Sequence, residues 1–265
     1  MHPLLNIAIR AARSAGEIIV RSLNHFDASR VTVKGQNEFV TEVDRLAEEE
    51  IIRTIRHHHP DHAFLAEESG AHDGNDHLWI IDPLDGTTNF IHGFPVFGVS
   101  IALQRRGKLE QAVVYDPLRQ ELFTATRGAG TQLDGRRIRA SNHIGLSGAL
   151  IGTGFPYRAN LDSADAYMDM LKSIIAQTAG VRRAGAAALD LAYVAAGRLD
   201  GFWEIGLKPW DMAAGVLLIR EAGGFVSGLS GGENYLETGN IAAAGPKVFK
   251  PLLQLLQPHV TAELK

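Results

Sequence analysis

The stretch Leu78-Trp79-Ile80-Ile81-Asp82-Pro83-Leu84-Asp85-Gly86-Thr87-Thr88-Asn89 restricts this chain more than any other. Leu78 to Ile81 is apolar enough for a buried strand. The run then breaks into aspartates, a proline, a glycine and threonines. In an open α/β sheet, ligands bind in the crevice at the carboxyl ends of the strands, so acids placed there face a ligand. The spacing of Asp82 and Asp85 lets both carboxylates and the Leu84 carbonyl turn towards one point. Such an all-oxygen set suits a hard cation such as Mg2+. Gly86, Thr87 and Thr88 follow as the start of a short helix, whose first N–H groups lack partners and suit an anion. Metal ligands beside a phosphate cradle suggest metal-assisted phosphoryl chemistry. Asp-Pro and Asp-Gly are also ordinary turn signals. The motif alone therefore leaves a plain turn open, and matching acids elsewhere in the chain weigh against it.

With 265 residues, 45% of them hydrophobic, the chain can bury the core of one large domain or of two halves sharing a site. A net charge of −4 with no Lys/Arg block argues against direct nucleic-acid binding. The absence of cysteine excludes a disulfide framework, a thiolate metal site and a cysteine nucleophile. Met1 to Asn6 lacks a signal-peptide pattern, and no apolar run reaches membrane-spanning length, so a cytoplasmic location without membrane contact is expected.

Leu4, Leu5, Ala8, Ala11, Ala12, Ala15, Ile18, Ile19 and Leu23 recur at helical spacing and predict an amphipathic helix. Val31 to Val40 reads as a mobile loop or hairpin, with Lys34 either reaching a phosphate or simply solvated. Thr41 caps a second helix that runs to about His58, with Asp44 at its N3 position. Glu48, Glu49 and Glu50 read as a solvated face of that helix. The run His57-His58-His59-Pro60-Asp61-His62 reads as a helix stop and not a metal site, because consecutive histidines diverge around a helix. Ala63 to Ala66 predicts a strand that delivers Glu67 and Glu68 at its end. An antiparallel meander spans Val96 to about Arg136, with hairpin turns at Arg105–Lys108 and Leu133–Arg136.

Gly152-x-Gly154 is a weak dinucleotide signal without its third glycine, and reads as a strand-ending turn. Ala164 to Thr178 predicts a helix with Tyr167, Met168, Leu171, Ile174 and Ile175 on its apolar face. The small residues Gly185 to Ala188 open another helix and permit either a ligand or a neighbouring helix to come close. Asp211 reads as the N-cap of the helix from Met212 to Ala222. Beyond residue 146 strands and helices alternate, an α/β pattern.

Several of these segments resemble the inositol monophosphatase family, and closely its bacterial branch. The first family signature resembles Trp79 to Asn89. The second resembles Trp210-Asp211-Met212-Ala213-Ala214-Gly215 with Glu221-Ala222-Gly223-Gly224. Glu67-Glu68-Ser69, Val40-Thr41-x-x-Asp44, and Arg182 to Gly185 with Ala188 to Ala192 also match, so the likeness spans almost the whole chain.

The resemblance implies an α/β fold, a layered αβαβα sandwich. Residues 1–145 would form an α+β half and residues 146–265 an α/β half, with the site between them. It implies a Mg2+-dependent, lithium-sensitive phosphomonoesterase, commonly a homodimer, acting on inositol 1-phosphate or a similar polyol phosphate. By matching positions, Glu67, Asp82 and the Leu84 carbonyl would hold one ion, and Asp82, Asp85 and Asp211 a second. A third would lie near Glu67 through water, giving about two to three ions, as in multi-metal hydrolases. Asp44 and Thr87 would orient the attacking water, with Glu67 beside them. Gly86, Thr87 and Thr88 would bind phosphate. Asp85, Arg182, Gly185, Ala187, Glu204 and Asp211 would line the alcohol side. Ala186 departs from the Ser or Thr common in the family, and that removes a hydroxyl contact. Other substrates of the same fold are fructose 1,6-bisphosphate, histidinol phosphate, nucleotide 3′-phosphates and NADP. Bacterial members like this one are also associated with ribosomal-RNA transcription antitermination, so a binding role with a transcription-complex partner is the alternative.

Overall fold

The computed structural model describes residues 2–23, 32–35, 38–156 and 163–265, with 32–35 and 38–40 described in backbone alone. Helix α1 (Pro3–Leu23) precedes a hairpin of β1 (Thr32–Gly35) and β2 (Glu38–Val40), which decides between loop and hairpin for this segment. The Lys34 side chain lies outside the description. Helix α2 (Glu42–His58) follows, capped as expected by Thr41 with Asp44 at N3.

A large sheet then forms from β3 (Ala63–Ala66), β4 (Gly70–His72), β5 (His77–Asp85), β6 (Gly98–Arg105), β7 (Lys108–Asp116), β8 (Glu121–Thr126), β9 (Gly130–Leu133) and β10 (Arg136–Arg137). Its spatial order is β10-β9-β8-β7-β6-β5-β3-β4. The short helix α3 (Thr87–Ile91) leaves the end of β5. Both hairpin turns fall where the sequence places them. Arg106-Gly107 and Asp134-Gly135 carry positive φ, the backbone a two-residue turn needs between right-twisting strands.

The second sheet has the order β12-β11-β13-β15-β14. It contains β11 (Leu150–Thr153), β12 (Gly180–Arg182), β13 (Gly201–Glu204), β14 (Phe225–Ser227) and β15 (Ile241–Ala244). Strands β11, β12 and β13 are parallel, while β15 and β14 pair antiparallel, so the sheet is mixed. Between these strands run α4 (Ala164–Ile175), α5 (Ala187–Ala195), α6 (Pro209–Glu221) and α7 (Tyr235–Thr238), and α8 (Phe249–Leu256) follows them.

Strand periodicity sorts the side chains into layers. Trp79, Ile81, Val99, Ile101 and Leu103 face α1 and α2. Their neighbours Ile80 and Ala102 face the other way, onto α5 and α6. In the second sheet Phe202 joins the same middle layer, and Trp203 joins α4 and α8 on the outer side. The order of layers is helix, sheet, helix, sheet, helix. Leu78 to Ile81 shows no polar alternation because both faces of β5 are covered. Burying each large apolar side chain contributes about 1.5–3 kcal/mol, which makes this layering the main stabilising term. The middle layer is rich in alanine, which lets α5 and α6 pack between two sheets.

Two readings need correction here. Asp82-Pro83-Leu84-Asp85 is not a turn. It remains in β5 as a register shift between Asp82, opposite Ser100, and Asp85, opposite Gly98. On α4 the buried residues are Tyr167, Met170 and Ile174, whereas Met168 and Ile175 are 46% and 57% exposed. The helical stripe passes through Met170, which leaves Met168 and Ile175 on its wet side.

Candidate active site

Strands β3 and β5 run parallel with Ala66 opposite Ile81, so their carboxyl ends lie side by side. Glu67 prolongs that pairing, its N–H donating to the Ile81 carbonyl at 3.1 Å. Beyond Ile81, Asp82 is 1% exposed and Asp85 9% exposed. Both line a cleft of about 560 Å³ together with Glu67, Leu84, Gly86, Thr87 and Thr88. The opposite wall carries Gly185, Ala187, Glu204 and Asp211 from the second half of the chain.

The start of α3 is tightly built. Gly86 has φ of +92° and caps the helix. A Cβ there would meet the Val96 carbonyl oxygen at 2.9 Å, so both its backbone and its surroundings require glycine. Thr87 then donates its hydroxyl to Asp44 Oδ1 at 2.8 Å, with the Leu84 carbonyl 3.1 Å away as the other acceptor. Asp44 does not line the cleft. It lies behind Thr87, 1% exposed, its other oxygen accepting from the Thr41 N–H at 2.8 Å and the Thr41 hydroxyl. The cap and the cleft residue are therefore one hydrogen-bonded unit, and Asp44 reaches the cleft only through Thr87. Burial pushes the Asp44 carboxyl up, against these hydrogen bonds.

Each aspartate keeps one oxygen on a backbone N–H. Asp82 accepts from Leu84 at 3.0 Å, Asp85 from Ala188 at 2.7 Å, and Asp211 from Lys208 at 2.7 Å. Asp211 is not the N-cap of α6. Pro209 at the first helical position moves the cap back to Lys208 and Asp211 to N3. Ala186 at the start of α5 has no side-chain cap, and Asp85 supplies the missing acceptor from another sheet. Glu204 ends β13 against Gly154, where any Cβ would collide with its carboxylate. Gly154 therefore makes room for an acid, while Gly152 stays inside β11.

Arg182 is not brought to the cleft. It ends β12 exposed, its guanidinium turned to the Val181 carbonyl, and the neighbouring Arg183 lines the cleft instead, 5.2 Å from the Phe155 ring centre. Successive residues of an extended segment point to opposite sides, so the guanidinium on the alcohol side shifts by one position.

Burial, followed by the charges of Glu67, Asp85 and Asp211, pushes the Asp82 carboxyl well up. Burial and then Asp211 do the same to Asp85. Among the described residues no three His, Asp or Glu side chains are already gathered as a metal-binding group. The donor chemistry nonetheless fits a hard divalent cation: carboxylate and carbonyl oxygens, desolvated, with the acids outnumbering the cleft's Arg183 and Lys208.

A family model for the inositol monophosphatase family matches residues 1–261. The chain belongs to that family. A Nus factor SuhB from Pseudomonas aeruginosa is 57% identical over 270 residues, covering 100% of both chains. The crystal structure of the suhB protein from Bartonella henselae superposes with a TM-score of 0.93 at 43% identity, over 97% of this chain and 99% of that one. An inositol monophosphatase from Anabaena superposes with a TM-score of 0.86 at 40% identity, over 96% of this chain and 95% of that one.

Within this family fold, other residues shape the site without having been singled out by pattern. Glu48 is 3% exposed, not solvated, and its two oxygens accept from the Glu68 and Ser69 N–H groups at 2.8 Å each. It thereby holds the turn that carries Glu67. Asn89 donates to the Val96 carbonyl at 2.7 Å and the Ala184 carbonyl at 2.9 Å, tying α3 to the segment before α5. Asp190, 2% exposed on α5, also lines the cleft. The one sequence signal for Glu48 was its helical phase with Asp44, one turn earlier on the same face.

Proposed function

We propose that the protein is a divalent-cation-dependent phosphomonoesterase, hydrolysing inositol 1-phosphate or a similar polyol phosphate. The observation that carries this reading is the convergence of Glu67, Asp82, Asp85 and Asp211 on one cleft, next to the Thr87–Asp44 hydrogen bond. Buried like charges are costly, and a protein gains nothing from crowding them unless a cation arrives. Glu67, Asp82, the Leu84 carbonyl, Asp85 and Asp211 would hold Mg2+. When bound, the metal supplies charge neutralisation for the phosphate dianion and lowers the pKa of water.

The chain's own residues supply the rest. Gly86, Thr87 and Thr88 open a helix whose first N–H groups suit phosphate oxygens. Thr87 is held by Asp44 as a hydrogen-bond relay for the attacking water: its hydroxyl proton points to the carboxylate, and its lone pairs are left to accept from the water. Gly185, Ala187 and Glu204 form the alcohol side, with Glu204 accepting from substrate hydroxyls. No covalent phosphoenzyme is required.

A second reading is favoured by the name of the 57%-identical relative, a Nus factor: binding within a transcription complex, by a protein partner and not by a basic surface. Family resemblance adds a homodimer to either reading. The deciding experiment is a phosphatase assay on sugar, polyol and nucleotide phosphates, in Mg2+, in EDTA, and with Li+. Hydrolysis that vanishes in EDTA, returns with Mg2+ and falls with Li+ supports the enzyme. Full activity in chelator, or none on any ester in Mg2+, refutes it.

A further inference from the structure

Asp190 is a carboxyl to which nothing above gives a role. It lies on α5, one turn beyond the helix start that Asp85 caps, and is 2% exposed. It lines the cleft together with Glu204 and Arg183. No described residue donates a hydrogen bond to its carboxyl; the influences on it are burial, the charge of Asp85 and, in the opposite sense, that of Arg183. A Cβ built on Gly152 of β11 would lie 3.8 Å from Asp190 Cγ, an ordinary contact distance, and closer still to Leu199 and Phe202, so the carboxyl sits against apolar neighbours. A buried carboxyl that no neighbouring side chain hydrogen-bonds is destabilising, and a leucine of similar size would avoid that cost. The middle layer around it is otherwise apolar, rich in alanine, leucine and valine. An acid in this position makes physical sense if its partner arrives with a ligand.

We propose that Asp190 is a specificity-determining residue, whose carboxyl hydrogen-bonds a hydroxyl on the alcohol half of the substrate. Asp190 would then reject esters whose alcohol is a plain alkyl or aryl group and favour a polyhydroxylated ring. This rests on the phosphatase reading and deepens it: Glu204 at the end of β13 and Asp190 on α5 grip hydroxyls at different points of one ring.

The test compares wild type with Asp190→Leu and Asp190→Asn on inositol 1-phosphate and on 4-nitrophenyl phosphate, whose alcohol has no hydroxyl to offer. Melting temperatures are measured without metal. Asp190→Leu is expected to lower kcat/KM on inositol 1-phosphate at least roughly tenfold more than on the aryl ester, mainly through KM, because a site that hydrogen-bonds a hydroxyl discriminates strongly. Asp190→Asn, which can still hydrogen-bond, should recover most of that loss. The leucine variant should melt no lower than wild type. Equal losses on both esters, no loss on either, or a leucine variant that melts lower while asparagine restores nothing would overturn the proposal. If wild type hydrolyses neither ester in Mg2+, the phosphatase reading itself fails, and the role of Asp190 falls with it.

Discussion

At the scale of single residues, the site is made of groups with double duties. Thr87 belongs to the first turn of α3 and also touches Asp44, itself part of the α2 cap. If Thr87 holds the attacking water, Thr87→Ala should lower kcat roughly 10²-fold with little change in KM, the scale of one catalytic hydrogen bond. Steady-state kinetics decide this, and a near-normal kcat would leave the Thr87–Asp44 bond a folding contact. Asp85 faces the other acids and also accepts the Ala188 N–H at the uncapped start of α5. Asp85→Asn keeps an oxygen for that N–H but removes the charge. It should melt without metal at or above the wild-type temperature, and turn over almost nothing in Mg2+. Asp85→Ala loses the cap as well and should be about 0.5–2 kcal/mol less stable. Should both variants melt equally low, the charge and not the oxygen secures α5.

At the scale of elements, α2 serves the site at one end and pH sensitivity at the other. Its Glu48 holds the turn after β3 through two hydrogen bonds. Glu48→Ala would strand those N–H groups, at about 1–3 kcal/mol apiece if no water replaces it. The expected result is a lower melting temperature and, if Glu67 is a metal ligand, a higher Mg2+ concentration for half-saturation in a thermal-shift titration. An unchanged Mg2+ midpoint would confine Glu48 to stability.

Just past the end of α2, the His62 ring is stacked between His59 and His77, at 4.4 and 4.5 Å. Its Nδ1 accepts the Trp79 indole N–H at 2.9 Å. Burial, with the neighbouring histidines, holds the His62 pKa down at about 4, against partial compensation by Asp61 and Asp76. The unfolded chain therefore binds this proton first, near pH 6.5, and stability is lost as pH falls from 6.5 towards 4. His62→Gln should flatten that part of the melting-versus-pH curve. A slope unchanged by the substitution would put the acid sensitivity elsewhere.

At the scale of the whole molecule, the acids of the cleft come from both halves of the chain. Glu67, Asp82 and Asp85 come from the first sheet, Asp211 from α6 between the sheets. Asp82 and Asp85 are held well above the ordinary value of 3.8. Their contribution is thus fully present below pH 3.8 and is lost as pH rises through their raised values. Metal should reverse this, because it binds the ionised carboxylates. Melting in EDTA and in Mg2+, at pH 5 and pH 8, should give a Mg2+ stabilisation that is larger at pH 8. At a hundredfold excess over Kd it would be about 2.7 kcal/mol. An equal Mg2+ effect at both pH values would mean that the ion binds away from these acids. No described helix is long and apolar enough to cross a membrane.

Periodicity and local motif were enough for the elements that depend on nearby residues. The α1 stripe, the Thr41–Asp44 cap and the Arg106-Gly107 and Asp134-Gly135 turns follow from interactions a few residues long, and all were legible. That Glu67 and the pair Asp82 and Asp85 end strands was legible too, but their shared cleft follows from the parallel pairing of β3 with β5. What the chain could not show in one dimension is contact between distant segments. Glu48 looks solvated beside Glu49 and Glu50 until the β3 turn arrives 20 residues later to bury it. Arg182 and Arg183 differ only in which side of an extended segment each occupies. Asp85 caps α5 across 103 positions, and Asp190 becomes a buried cleft acid only when α5 slides between two sheets. Local hydrogen bonds and side-chain period are written residue by residue. Burial is a property of what packs on top, and only the tertiary structure decides that.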